Sequence, residues 1–210
     1  MNVNAANALL KTLEEPTSST FFILVTDRLM SLPATIRSRC QIIHFQRPKK
    51  EEAKAWLKEK LDTQDHLDLL LNLAHGAPLK ALELFDNQWL ECRQSVFKDF
   101  CRFLQGDIDF TVLSSDWAKK ETDALISFLT SWICDLISLK QISDFESVMN
   151  VDFIPSLKAI AKRYTIQQLY RIYDELLVLQ NLQAKKIALN PQLLFEGVLV
   201  RFLGEQDHVD

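Results

Sequence analysis

From residue 122 onward, apolar side chains recur three and four positions apart, and glycine hardly interrupts them. In "ETDALISFLTSWICDLISLKQ", Leu125, Phe128, Leu129, Trp132, Ile133, Leu136 and Ile137 keep that spacing, which lines one face of an α-helix and fits no strand. The stripe is wide, enough for the helix to bury against its own bundle and against a partner as well. "TIQQLYRIYDELLVLQNLQAKKI" starts on a threonine N-cap, Thr165, and carries Leu169, Ile172, Tyr173, Leu176 and Leu179. A final helix follows "NP": Asn190 caps it, Pro191 opens it, and Leu194, Val198, Leu199 and Phe202 share its apolar face. The chain has only four glycines, and Gly106, Gly197 and Gly204 are those of this stretch. Residues 89–210 are therefore expected to form a bundle of roughly five helices.

Upstream, residues 47–88 predict three shorter helices. Pro48 breaks the chain, and "KKEEAKAWLKEKL" sets Ala53, Trp56, Leu57 and Leu61 on one side. "DHLDLLLNLAHG" ends on Gly76, a C-terminal stop. "APLKALELF" starts with Pro78 and is expected to bury Leu79, Leu82 and Phe85.

Residues 1–46 read differently. "NAANALLKTLEEP" has Leu9, Leu10 and Leu13 on one helical face, with Pro16 as the stop. "TFFILVT" (20–26) is a continuous apolar run, too short for a typical helix, and predicts a strand buried on both faces of a parallel sheet. "LPATIRSR" predicts about two helical turns opened by Pro33, and "QIIHF" (41–45) a second strand. This alternation is that of an α/β sheet. Two strands do not make a stable sheet, so the zone reads as the tail of a larger domain whose beginning is missing.

The chain is 48% hydrophobic and 25% charged, the composition of an ordinary globular protein. No uninterrupted apolar run reaches the ~20 residues of a membrane span, and "MNVNAANALLK" is no signal peptide. Cys40, Cys92, Cys101 and Cys134 lack the close spacing of a zinc site, and His44, His66, His75 and His208 are isolated, so no metal is expected. Reduced thiols suit the cytoplasm. There is no G-x-x-x-x-G-K-[ST] and no glycine cluster to cradle a phosphate. Glu14 and Glu15 are adjacent, but neighbours on a helix diverge, which argues against acid–base work. No catalytic site is expected in this chain.

The net charge of −4 hides an excess of cations near the start. Between residues 28 and 60, Arg28, Arg37, Arg39, Arg47, Lys49, Lys50, Lys54, Lys58 and Lys60 face only Glu51, Glu52 and Glu59. Within 47–60 the signs interleave at helical spacing, the pattern of a solvated face. Arg37 and Arg39 are different, since "IRSRC" stands between two apolar runs. Guanidinium is permanently charged and forks onto carboxylate or phosphate alike. Arg39 thus has two readings: an intrachain salt bridge or surface arginine, or a cation offered outside its own subunit.

"NALLKTLEEP", "FFILVT" and "LPATIRSRC", in that order and spacing, resemble the clamp-loader branch of the AAA+ ATPases. The resemblance covers essentially all of the chain. It implies a mainly α protein in three parts: the C-terminal remnant of an α/β AAA+ (P-loop NTPase-like) domain at 1–46, a three-helix lid at 47–88 and a helical collar for oligomerisation at 89–210. It further implies that Arg39, in the Ser38-Arg39-Cys40 motif, is a finger acting in trans on ATP held by the adjacent subunit. Thr26 takes the place of the sensor-1 polar residue. In "GAPLKAL", Leu79 stands where the family's sensor-2 arginine lies, a departure that argues against hydrolysis by this subunit. The collar sequence is most similar to the stator-type subunit of the bacterial DNA polymerase III loader, whose zinc module would belong to the missing N-terminal part. Implied partners are gamma/tau-type ATPase and delta-type subunits in a hetero-oligomeric ring, and, through the ring, the sliding clamp and primer–template DNA. A truncated motor subunit of the same loader, or an unrelated helical adaptor, are the alternatives. Whether Arg37, Lys49 or Lys50 touches DNA stays open.

Overall fold

The computed structural model describes residues 3–14, 19–26, 29–61, 66–141, 148–185 and 187–204. Pro16, Glu15, Arg28 and His208, which entered the reading above, lie outside them. Contacts divide the chain into two units, 1–46 and 47–210, and each is described by itself.

In the first unit, α1 (Val3–Glu14) and the single turn α2 (Ala34–Arg37) pack together. Pro33 is the N-cap of α2 with φ −54, so the expected two turns shrink to one, preceded by a 3-10 turn at Leu29–Ser31. Ile36, on α2, is buried and only 1% exposed. The two buried strands expected at 20–26 and 41–45 are not formed: no described residue is in a strand. Phe21, Ile23, Val25 and Phe45 are almost fully exposed. The physical reason is that a strand exists only through its ladder. An apolar run with no adjacent backbone to bond has nothing to hold it extended or cover its two faces.

The described residues of the second unit form helices and the turns between them. Helices α3 (Lys50–Lys60), α4 (Leu67–Leu73) and α5 (Pro78–Asp86) enclose one apolar cluster that includes Ala53, Leu57, Leu61, Leu70, Ala81 and Leu84. Trp56 is half-buried against it. The α5 face is a correction. Leu79 is 72% exposed and Phe85 40%, while Ala81 and Leu84 are buried. This nine-residue helix is apolar on more than one side, so periodicity does not select its inner face, and the smaller Ala81 is the one that fits.

A second cluster is built by α6 (Trp89–Gln105), α7 (Phe110–Trp117), α8 (Thr122–Gln141), α9 (Ile154–Ala161), α10 (Ile166–Ala184) and α11 (Pro191–Gly204). That is six described helices rather than about five. Trp89 packs against both clusters. Helix α8 lies against α6, α9 and α10. All seven of its stripe residues are buried within this bundle, so the width of the stripe is used up inside the chain. By length and composition α8 would also serve as a membrane span, with a mean hydropathy of 1.3. Its packing is that of a core helix, and it carries the buried carboxylate Asp135.

Caps act where they were expected. The Thr165 hydroxyl accepts from the Gln168 amide at 3.3 Å, and Asn190 Oδ1 accepts from the Gln192 amide at 3.0 Å. At the end of α6, Gly106 takes φ +85, and the Asp107 amide reaches back to the Arg102 carbonyl at 2.9 Å, a left-handed closure that favours glycine.

A buried polar network ties 148–153 to the bundle. Arg93 is fully buried; Nε and Nη2 donate to Asn150 Oδ1 at 3.0 and 2.6 Å, and Nη1 and Nη2 to the Asp152 carboxylate at 2.9 and 2.8 Å. The guanidinium also lies over the Phe153 ring, 4.0 Å from its centroid. Asp135, on α8, accepts from the Met149 and Asn150 amides at 2.9 and 2.8 Å and from Asn150 Nδ2 at 2.6 Å. Burial pushes its carboxyl above the usual range, against the hydrogen bonds from Asn150 and Met149 and the charge of Arg93.

Candidate functional site

The candidate site is the turn that leaves α2. The amides of Ser38 and Arg39 bond back to the carbonyls of Ala34 and Ile36 at 2.9 and 3.1 Å, and Ser38 Oγ donates to the Thr35 carbonyl at 3.1 Å. With Ile36 buried beneath, the turn has a fixed base and an exposed rim. Arg39 stands on that rim with its side chain 38% exposed. Its Nη1 donates to the Thr35 carbonyl at 2.9 Å, and its Nη2 pairs with Glu14 Oε1 at 2.5 Å. Of the two readings of Arg39, the intrachain salt bridge is therefore formed in this chain. Glu14, at the last position of α1, is the residue that sequence reasoning set aside; no local signal links it to an arginine 25 positions away.

Arg37 turns elsewhere. Its Nη1 donates to the Met30 thioether at 3.2 Å, and its buried Nε has no partner among the described residues. Cys40 is a free, half-buried thiol. Thr26 is exposed in the irregular 19–26 segment. Leu79 belongs to the other unit, in the first turn of α5, and beside it Lys80 pairs with Glu83 at 3.0 Å. The structure thus joins Arg39 to Glu14, while Thr26 and Leu79 are exposed, each within its own unit.

The lysines near the start of α3 are matched by acid. Lys50 lies 3.5 Å from Asp68, and Lys54 is hydrogen-bonded to the same carboxylate. That bond, with the charges of Lys54 and Lys50, holds the Asp68 carboxyl below its ordinary range despite some burial. Arg47 donates to the His75 carbonyl at 2.8 Å. Burial pushes the Cys101 and Cys134 thiols up, which makes them poor nucleophiles. A groove of about 270 Å³ on α10 and α11 is lined by Arg171, Ile172, Asp174, Glu175 and Arg201. Arg201 in that groove is paired with Glu175 at 2.7 Å. Among the described residues, no group of His, Cys, Asp and Glu is placed to hold a metal ion.

Comparison with known proteins adds the following. A family model described as DNA polymerase III, delta subunit, C terminal, matches residues 93–203, and one described as DNA polymerase III, delta subunit, matches residues 1–49. The DNA polymerase III subunit delta' of Escherichia coli (strain K12) is 32% identical over 206 residues, covering 94% of this chain and 58% of that protein. The subunit of the same name from Pseudomonas aeruginosa is 29% identical over 204 residues, covering 96% and 62%, and that of Haemophilus influenzae 31% over 195 residues, covering 89% and 59%. The chain spans about three-fifths of the length of these curated relatives.

Proposed function

Because this chain belongs to the family of DNA polymerase III delta subunits, we propose that it serves as a non-hydrolysing subunit of a replicative clamp loader and lends Arg39 in trans to ATP on a neighbouring motor subunit. The observation that carries this is the presentation of Arg39. Its guanidinium stands on an exposed turn of fixed geometry, inside the segment matched by the family model. Permanent charge and a forked donor edge suit it to a transferring phosphoryl group. Leu79 offers no cation at the sensor-2 place. This supports a stator that holds and triggers rather than a motor.

In this reading residues 1–46 are part of an AAA+ type domain, 47–88 a lid and 89–210 a collar that assembles with gamma/tau-type and delta-type subunits in the cytoplasm. The ring acts on a sliding clamp and primer–template DNA, with ATP on the neighbour. Thr26 takes the sensor-1 place, Ser38 and Cys40 shape the turn, and any zinc module lies outside this chain. A second reading is favoured by the Glu14 pair: Arg39 merely ties α2 to α1. The two part in a loader reconstituted with the native subunit. As a finger, Arg39→Ala leaves assembly intact and slows hydrolysis at the neighbouring site by about 10³-fold, the lower end of what such fingers contribute. Unchanged hydrolysis in an assembled ring establishes the tie instead.

A further inference from the structure

We propose that Glu14 is the resting partner of the Arg39 guanidinium, and that a triphosphate presented by a neighbouring subunit displaces it. This rests on the reading of Arg39 as a trans finger. Three observations lead to it. First, the two anchors of Arg39 differ in kind. Nη1 is held by a neutral backbone carbonyl on the preceding helix, Thr35, which sets the direction of the side chain. Nη2 is held by a charged side chain from a different helix, Glu14. A carboxylate and a phosphate offer the same kind of acceptor to a guanidinium, so the Glu14 contact is the one an incoming phosphate can take over while the Thr35 contact persists.

Second, Glu14 occupies a place that its own helix does not favour. It is the last described residue of α1, in a stretch that Pro16 is expected to close, and a carboxylate near the C-terminus of a helix is disfavoured. Arg39 offsets that cost. When Arg39 departs, Glu14 is left beside the negative end of α1 but in water, since its side chain is 49% exposed. Exposure keeps the loss small, which an exchangeable contact requires.

Third, the strength is right for competition rather than locking. With side chains 38% and 49% exposed, the pair falls in the range of surface ion pairs. Its contribution therefore corresponds to about a two- to fivefold change in an equilibrium. Glu14 would thus bias the finger toward its own subunit until nucleotide arrives, without opposing the hydrolytic step, in which Arg39 has already left.

The test is a double-mutant cycle in a loader reconstituted with the native subunit, with the ATP dependence of DNA-stimulated hydrolysis as the readout. Glu14→Gln removes the charge and keeps the shape. It is expected to lower the apparent KM for ATP about two- to fivefold and to move kcat by less than KM. On an Arg39→Ala background the same substitution is expected to leave KM unchanged, because the contact it weakens is gone. A KM unaffected by Glu14→Gln in the otherwise native ring, or shifted equally on the Arg39→Ala background, overturns the role of Glu14 while leaving the finger intact. Normal hydrolysis by Arg39→Ala alone removes the finger, and this inference with it.

Discussion

Replacing Arg93 by methionine is expected to destabilise the helical bundle by about 3 kcal/mol. Methionine keeps most of the unbranched stem, so the loss is that of the guanidinium, its contact over the Phe153 ring included. Four hydrogen bonds disappear with it, two to Asn150 Oδ1 and two to Asp152. Asn150 is fully buried, and an acceptor stranded without water costs about 1–3 kcal/mol. The Asp152 side chain is 27% exposed, so solvent takes over part of its demand. Its share falls below the roughly 3–5 kcal/mol typical of breaking a fully buried pair. The reverse substitution sharpens the comparison. Asp152→Ala leaves a fully buried cation with only a neutral amide oxygen, and it is expected to cost at least as much although it removes the more exposed partner. In urea denaturation followed by circular dichroism, with a slope of about 2 kcal/mol per molar, Arg93→Met lowers the midpoint by about 1.5 M. A midpoint within 0.2 M of the native protein (roughly 0.4 kcal/mol at that slope), or an Asp152→Ala variant clearly more stable than Arg93→Met, would refute the reasoning.

Asp135 gives a pH signature. Its folded carboxyl titrates above the unfolded value, chiefly through burial. Its contribution to stability is therefore fully present below the unfolded pKa of about 3.8 and is lost as pH rises through the folded pKa. The stability of the native protein minus that of Asp135→Asn should fall as pH rises above about 3.8, with urea midpoints at each pH as the check; a flat or rising difference contradicts the assignment. Thr165→Ala removes the N-cap of α10 and its reciprocal contact with Gln168, and should lower stability by about 0.5–2 kcal/mol. Thermal melting tests this, and a variant that melts with the native protein excludes the cap.

The helices were legible because their signal is local. The α8 stripe and the caps at Thr165 and Asn190 need only the residues beside them, and all three form. In α5 the local signal was ambiguous, since apolar residues on two sides compete for one interior. The strand expectation failed for a different reason: the apolar runs at 20–26 and 41–45 carry strand character, but a ladder requires adjacent backbone that local pattern does not guarantee. The Arg93–Asn150–Asp135 network joins residues up to 57 positions apart, beyond any spacing rule. A trace of it was readable nonetheless. Asp135 stands three positions after Trp132, and Arg93 three before Val96, each on the buried stripe of its helix, where a charge must find a partner. Glu14 left no such trace, because an acidic residue at a helix end is ordinary until the structure shows what it touches.

The central claim is that Arg39 leaves Glu14 for a nucleotide held by another subunit. A structure of the assembled ring, bound to a non-hydrolysable ATP analogue and containing the native subunit, measures this directly. The account predicts a guanidinium nitrogen of Arg39 about 2.7–2.9 Å from a γ-phosphate oxygen of the neighbour's nucleotide, with Glu14 released. Arg39 still paired with Glu14, and far from every bound triphosphate, would contradict it.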